Sequence, residues 1–235
     1  MQAVSQTYLN LLAAGAPKEC RAIIAGTTYT QEKIESAITK SAVMDKAATV
    51  GNCVAKELNL VLRNPGDIPR MAQIRMQFRL NDGTTQSEWL PKGTFFIDTR
   101  QASASGVLLE IDAFDPMLKS DQPYMTSGEQ GGWPKTDLTV VNAIASRIGV
   151  SVDARTTAIL TRGYQVQYPG FGEGAYTMRD VLGFIGTMYC GNWIITDENK
   201  LRLIVLGDIP QETDYLVTEN NDVIVIGGYR IVVNR

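Results

Sequence analysis

The sequence contains no histidine among its 235 residues. Without imidazole, the chain has no Ser-His-Asp or Cys-His machinery, no HExxH zinc site and no histidine general base. The chain alone therefore lacks the residues that most hydrolytic mechanisms require. This absence predicts a protein that is not an enzyme.

Cysteine is also scarce, since only Cys20, Cys53 and Cys190 are present and no two of them form a CxxC pair. An odd number of widely spaced cysteines disfavours a disulfide framework and a cysteine-rich zinc site. The pattern is typical of a protein that folds in reducing cytosol. Because no other ligand set has suitable residue types and spacing, we expect neither a bound metal nor an organic cofactor.

The chain lacks an excess of positive charge, with 22 basic and 25 acidic residues and a formal net charge of -3. Neutralising a phosphate backbone requires such an excess, so sequence-specific nucleic-acid recognition is not expected. No apolar run is long enough to span a bilayer. The N-terminal MQAVSQTYLNLLAAGAP lacks the basic residues that open a signal peptide, and it is predicted to form an amphipathic helix.

The sequence does contain enough apolar residues for a sizeable core, at 44% of the chain. In its first half, the segment AQIRMQFRL alternates apolar and polar residues, which predicts a half-buried strand before a turn at Asn81-Asp82-Gly83. Similar strand patterns occupy 58–62, 95–98 and 107–112, so this half is expected to form a barrel or sandwich. The segment QEKIESAITKS fits either a helix or a strand.

The second half begins after the Gly/Pro/Ser-rich stretch SDQPYMTSGEQGGWP, which predicts a linker over 121–135. A helix is expected from Thr136, with Gly149 just beyond its end. Thr177 and Asp180 resemble a capping box that opens another helix. Hairpins are predicted around 197–200 and at the Gly227-Gly228 step. The expected fold class is therefore mostly β with two or three helices, an α+β chain.

Candidate chemistry is sparse, and each candidate has a structural alternative. Glu110, Asp112 and Asp115 could bind metal or hydrolyse a glycoside, but a solvated strand face explains the first two without any chemistry and is the preferred interpretation. A glycine cluster before the Thr177 helix could bind an anion, although a flexible loop is the better interpretation; it comprises Gly170, Gly172 and Gly174.

The three tryptophans could provide stacking platforms for sugars, but each lies beside strand or linker signals, so packing is the default interpretation. They are Trp89, Trp133 and Trp193. No residue is assigned a catalytic, cofactor-binding or metal-binding role from these patterns.

The tetrapeptide GDIP occurs twice, at 66–69 and at 207–210, and each copy follows a strand-like run. Two strands that each end in a turn with a proline explain the repeat, and so does a repeated structural unit. If the halves are duplicated, residues 53–69 and 192–210 should superpose within their sheets.

Three further segments carry a resemblance through their order and spacing. TVGNCVAKELNLVL from Thr49 places Gly-Asn before an alternating-leucine strand. GTFFIDTR and the following GVLLEIDAFDPMLKSD place Ala113-Phe114-Asp115 before a methionine. YTMRDVLGFIGTMYCGNWIITDENKLRLIVL places a helix, a Gly-Asn step and a hairpin in succession. In these features, collinear over residues 20 to 206, the chain resembles the central hub or tail-associated proteins at the tip of bacteriophage tails.

The resemblance implies two related barrel-like β domains of the phage tail hub type. The first would span 1–120 with the N-terminal helix, and the second would span 136–235 after the 121–135 linker. The abrupt end of the sequence in or after a strand leaves open whether the second domain is complete.

The same resemblance implies a homotrimer in the virion tail of a phage or prophage, folded in the bacterial host cytoplasm. Such a hub adapts a sixfold tail tube to a threefold spike. Its expected neighbours are a distal tail protein ring, the tape-measure protein and a spike or wall-degrading protein. The alternative function is a glycan-binding or glycan-cleaving module that acts on cell-wall polymers through Glu110, Asp112 and exposed tryptophans.

Overall fold

The computed structural model describes residues 3–43, 49–125, 131–170 and 175–207, together with the backbone of 225–226 and 229–230. These parts of the chain are mostly β, with four α-helices and two short 3-10 helices. The α+β class is confirmed. None of the helices in the described parts is both long and apolar enough to cross a bilayer.

Seven antiparallel strands form one sheet in the order β2-β1-β5-β6-β7-β4-β3. The N-terminal helix α1 (Gln6–Ala13), which the sequence predicted, precedes this sheet and packs against β5. The strands are β1 (Lys18–Ile24), β2 (Thr27–Tyr29), β3 (Ile34–Lys40), β4 (Glu57–Arg63), β5 (Gln73–Leu80), β6 (Leu90–Ala102) and β7 (Leu108–Phe114).

Period-2 patterns in the sequence correspond directly to these strands. In β5 the apolar residues from Ile74 to Leu80 are buried and the intervening polar residues are not, as alternation requires. The ambiguous segment QEKIESAITKS contains strand β3, which pairs with β4 from Ile34 to Lys40. Because β4 offers a ready partner with a buried leucine face, pairing decides between helix and strand where local propensity does not.

The sheet curls around its core but does not close. Its edge strands β2 and β3 are joined by only four residues, 30–33, so the two edges lie near each other. No pairing between β2 and β3 is present in the described part of the chain, and no closed barrel is seen. The barrel expected from the resemblance is therefore an open, curled sheet, because hydrogen bonding between the edges is what closes a barrel.

The second half contains helices α2 (Asp137–Ile148), α3 (Ala154–Ile159) and α4 (Met178–Met188). They accompany a three-stranded sheet of order β11-β12-β9, so no second barrel is seen within the described ranges 131–170 and 175–207. Its strands are β9 (Ser151–Val152), β11 (Gly191–Ile195) and β12 (Lys200–Val205), while β8 (Lys135–Thr136) pairs with β10 (Gln165–Val166) and β13 (Val225–Ile226) with β14 (Tyr229–Arg230).

The predicted helix ends of α2 and α4 are confirmed. Thr136 caps α2, and Gly149 ends it at a φ of 83°. Thr177 and Asp180 form the capping box of α4. The sequence prediction missed α3, which Asp153 caps, because a six-residue helix has too few turns to show an apolar stripe.

The described residues form two hydrophobic cores. The first core fills the concave side of the seven-stranded sheet with residues between Ala22 and Ala113. The second core packs the helices on the three-stranded sheet, and it also takes in Cys53, Met117 and Tyr124 from outside 136–235. The separation of two domains by a linker over 121–135 stays a prediction, which limited proteolysis can test.

The two strands that precede GDIP have different neighbours. Strand β4 lies between β3 and β7 and is antiparallel to both, whereas β12 is antiparallel to β11 and parallel to β9. Residues 208–210 of the second tetrapeptide lie outside the described residues. The different pairing goes against the expected superposition of 53–69 on 192–210, and it favours two independent strand exits.

Candidate functional site at the junction of the two cores

The segments that carry the sequence resemblance come together where the two cores meet, which we call the junction (residues 49–56, 113–121, 179–187 and 191–197). Residues 49–53 run alongside the start of β11. The backbone N–H of Gly51 donates to the Gly191 carbonyl at 2.9 Å, and the Trp193 N–H donates to the Asn52 carbonyl at 2.7 Å. The loop thereby extends the three-stranded sheet by an isolated parallel bridge at Cys53.

A buried amide, that of Asn192, holds this loop in place. Its Oδ1 accepts a hydrogen bond from the Asn52 backbone N–H at 2.8 Å, and its Nδ2 donates to the Thr49 carbonyl at 3.0 Å. Asn192 is fully buried, so its amide is shielded from water, whereas Asn52 is half-buried and Thr49 is exposed. One side chain from the second core thus fixes the backbone that leads into β4 of the first sheet.

The loop also approaches helix α4 too closely for a side chain at Gly51. A Cβ there would lie 2.4 Å from the Thr187 Oγ1 and 2.7 Å from the Gly183 carbonyl oxygen. A Cβ on Gly183 would in turn lie 2.9 Å from the Gly51 carbonyl oxygen. Glycine is required on both sides because the two backbones pass within the radius that a methyl group would occupy.

Arg179, in the first turn of α4, binds three parts of the junction at once. Its guanidinium donates to the carbonyls of Cys53 and Met117 and to the carboxylate of Asp121, the last through Nε at 2.5 Å. The side chain is half-buried. A planar guanidinium with several donors can satisfy carbonyls from different segments, which a lysine cannot do with the same geometry.

Asp115 lies buried at the point where the chain leaves β7. Its carboxylate accepts hydrogen bonds from the backbone N–H of Met117 at 2.9 Å and of Lys56 at 3.0 Å. The first bond caps the 3-10 helix Pro116–Asp121. Burial raises the pKa of Asp115 to about 6, although these two hydrogen bonds oppose the rise.

The pH dependence of stability is expected to reveal this carboxyl. Because its pKa in the folded chain lies above the ordinary 3.8, ionisation is harder in the folded state than in the unfolded state. Its contribution therefore favours folding at low pH and is lost as pH rises through about 6. Asp115→Asn should be less stable but should lack this pH-dependent component. Chemical denaturation at several pH values should therefore give the variant a different slope of unfolding free energy against pH from that of the unmodified chain. Parallel slopes would contradict the assignment.

An ion-pair cluster bridges the sheet and the β11–β12 hairpin. Asp197, in the hairpin turn, accepts from the Lys56 ammonium and from the Lys92 Nζ at 3.0 Å. Lys56 is only 8% exposed, so losing Asp197 would leave a buried charge unpaired. A cavity of about 270 Å³ opens beside the cluster and is also lined by Arg155 and Arg202.

The junction binds chain segments to one another and offers no acid–base pair next to a nucleophile. In the described ranges, no group of three or more His, Cys, Asp or Glu side chains is placed to bind a metal ion. The expectations of no metal, no cofactor and no enzymatic activity stay predictions. What the geometry can do is hold the two cores in a fixed relation.

The carboxylates grouped by the sequence are separated in the structure. Glu110 and Asp112 lie on the exposed outer face of β7, whereas Asp115 lies buried in the junction. The Asp112 carboxylate accepts from Asn59 Nδ2 at 2.5 Å and from Thr99 Oγ1 at 3.0 Å. Of the glycine cluster only Gly170 is described; residues 171–174 lie outside the described ranges.

The tryptophans mainly pack. Trp193 is fully buried, and its Nε1 donates to the Leu182 carbonyl at 2.6 Å. Trp133 makes edge contacts with two tyrosines. Trp89 is half-buried against two arginines of the first sheet. None of the three presents an open platform with both faces free.

Sequence reasoning missed the residues on which the junction depends, namely Lys56, Arg179, Asn192 and Asp197. Two signals were present in the quoted segments: a Gly-Asn pair stands at 51–52 and again at 191–192. The structure brings these pairs together, and the repetition of Gly-Asn was the clue that could have linked them.

Comparison with solved structures finds this fold in the 43 kDa tail protein of prophage MuSo2 from Shewanella oneidensis, at a TM-score of 0.51 and 14% sequence identity. The tail protein from Neisseria meningitidis MC58 is similar at a TM-score of 0.48 and 12% identity, over 79% of this chain and 51% of that chain. The prophage tail protein gp18 from Listeria monocytogenes EGD-e has a TM-score of 0.47 and 9% sequence identity, over 86% of this chain and 55% of that chain.

No protein-family model matches the sequence, and no curated protein matches it. The match covers 89% of this chain, which spans 61% of the length of the Shewanella oneidensis protein. The chain therefore shares its fold with a prophage tail protein.

Proposed function

We propose that the chain is a structural component of a phage or prophage tail. The observation that carries the proposal is the shared fold with the prophage MuSo2 tail protein over 89% of the chain. The junction supports it, because its polar groups are used to bind chain segments rather than to surround a reacting atom. The chain is accordingly proposed to reside in the virion tail after folding in the host cytoplasm.

Within the tail, the chain is proposed to act as the hub at the tip. There a homotrimer would adapt a sixfold tube to a threefold spike and would contact a distal tail protein ring, the tape-measure protein and a spike or wall-degrading protein. The support is the collinear resemblance to hub proteins, whose three segments all contribute to the junction. A fixed relation between the two cores suits a part that transmits force between a sixfold tube and a threefold spike.

The symmetry of purified tails tests the hub role. Electron cryomicroscopy of the tail tip, reconstructed without imposed symmetry, is expected to contain three copies of this fold around the tail axis. Copies repeated along the tube, or six equivalent copies in one ring, would contradict the hub role and leave a different structural role in the tail.

The glycan alternative has its own test, although the geometry offers it little support. Glu110 and Asp112 are exposed on the outer face of the sheet, and no tryptophan stands beside them with a free ring face. We expect no binding on a glycan array and no release of sugars from cell walls. Hydrolysis that disappears in Asp112→Asn would instead establish the alternative.

A further inference from the structure

We propose that copies of this chain bind each other head to tail through two oppositely charged outer faces of the seven-stranded sheet. The basic face consists of Arg21, Arg75 and Arg79 around Trp89. The acidic face consists of Glu110 and Asp112. The basic face of one copy binds the acidic face of a second copy. This inference rests on the homotrimer proposed above.

The basic face lies on strands β1 and β5. Arg75 and Arg79 share one side of β5 with Gln77, which pairs directly with Arg21 of β1. Trp89 packs against two of the guanidinium groups, with the Arg21 and Arg79 Cζ atoms 4.2 and 4.5 Å from its ring centroid. This stacking holds the two cations in place before any partner arrives.

Positive charge is in surplus on this face. The carboxylate of Glu19 pairs with Arg79 Nε at 2.7 Å, and Arg21 Nε donates only to the neutral Gln77 at 2.7 Å. Arg75 is exposed, and no hydrogen bond or ion pair to it occurs in the described part of the chain. Burial, and secondly the charge of Arg79, lower the pKa of Arg21. The face thus holds three guanidiniums against one carboxylate.

The acidic face lies on β7, beside β4. Asp112 pairs with Asn59 across the strands, and Glu110 pairs with Val61. Asp112 accepts hydrogen bonds from neutral donors only, and Glu110 has no ion pair within the described ranges. The nearby Arg100 guanidinium donates instead to the Ile68 carbonyl. Two exposed carboxylates therefore lack a cation, which matches the surplus of two cations on the basic face.

The two faces cannot neutralise each other within one chain. Strand β6 lies between β5 and β7, and it pairs Arg75 with Thr94 but Asp112 with Thr99. These contacts are five residues apart on β6, which places the Arg75 and Asp112 backbones roughly 15 Å apart along the strand alone. That separation exceeds the screening length of about 8 Å at physiological salt. Each face keeps its charge for a partner.

Two different faces on one chain produce a heterologous contact. Such a contact repeats from copy to copy and closes into a ring when the rotation allows it, whereas a twofold dimer would use the same face twice. Complementary charge mainly sets which faces meet and how fast they associate. Association is therefore expected to weaken as salt rises.

Charge reversal tests the pairing by analytical ultracentrifugation of the full chain at low and high salt. Arg75→Glu and Glu110→Lys, each alone, are expected to lower the association constant by at least about tenfold. The double variant, Arg75→Glu with Glu110→Lys, should recover association because the swapped charges attract again. Arg162→Glu, an exposed reversal outside both faces, serves as the matched control and should associate like the unmodified chain.

Each other outcome separates the inference from the proposed function. Unchanged trimers in both single variants would overturn the charged pairing while leaving the homotrimer in place. A loss in Arg75→Glu that the double variant does not recover would also overturn it, and would assign the basic face to a different anionic partner. An unmodified chain that stays monomeric at every concentration and salt would overturn both the pairing and self-association.

Discussion

Gly51→Ala is expected to destabilise the folded chain by about 2 to 4 kcal/mol. Gly51 has a φ of +82°, where an added Cβ costs about 1 kcal/mol or more on its own. The same Cβ would meet Thr187 Oγ1 at 2.4 Å and the Gly183 carbonyl oxygen at 2.7 Å. The helix backbone cannot move aside without displacing α4 from β11, so overpacking adds about 1 to 3 kcal/mol.

Gly26→Ala is the matched control for this change. Gly26 has nearly the same φ, +85°, but nothing lies within 4 Å of the position its Cβ would take. Gly26→Ala should lower the folding stability only through the unfavourable φ, by about 1 kcal/mol. Urea denaturation of both variants measures the difference. Equal losses would show that the loop and α4 do not approach closely, and would contradict the geometry of the junction.

The second large effect is expected for Asn192→Ala, at about 3 kcal/mol. The substitution removes a fully buried amide and leaves the half-buried Asn52 N–H without its partner. The exposed Thr49 carbonyl loses one of its two donors and keeps Asn52 Nδ2 at 3.4 Å. Buried groups that lose their partners cost about 1 to 3 kcal/mol each. Part of this cost is relieved if water enters the space left by the side chain.

Asn59→Ala provides the comparison, since Asn59 lies on the outer face of β4 and binds the exposed Asp112. Water can replace that hydrogen bond, so the loss should stay below about 1 kcal/mol. Hydrogen exchange adds a local measurement: in Asn192→Ala, the Asn52 and Trp193 amides should lose protection before those of β5. Uniform protection would show that the amide does not hold the loop.

The sequence predicted those parts of the fold in which local pattern and tertiary partner agree. Strand β5 alternates because one face of a curled sheet is buried. Helix α4 begins where Thr177 and Asp180 bind each other's backbone, a contact that spans only three residues. Helix α3 was missed because it is too short for periodicity to develop.

The junction could not be predicted in the same way, because its contacts join residues far apart in sequence. Asn192 reaches Asn52 over 140 positions, and Arg179 reaches Cys53 over 126. Asp115 was grouped with Glu110 and Asp112 by proximity in sequence. The chain leaves the sheet after Phe114, and that change of direction buries one carboxylate while the other two stay exposed.

The presence of the chain in assembled tails tests the central claim most directly. The measurement is an in-frame deletion of its coding region in the phage or prophage that carries it, followed by electron microscopy of particles with and without a complementing copy bearing an epitope tag. The account predicts that the deletion yields no complete tails, and that complemented particles bind gold-labelled antibody at the tail tip. Complete, infectious tails without the chain, or label absent from the tail, would contradict it.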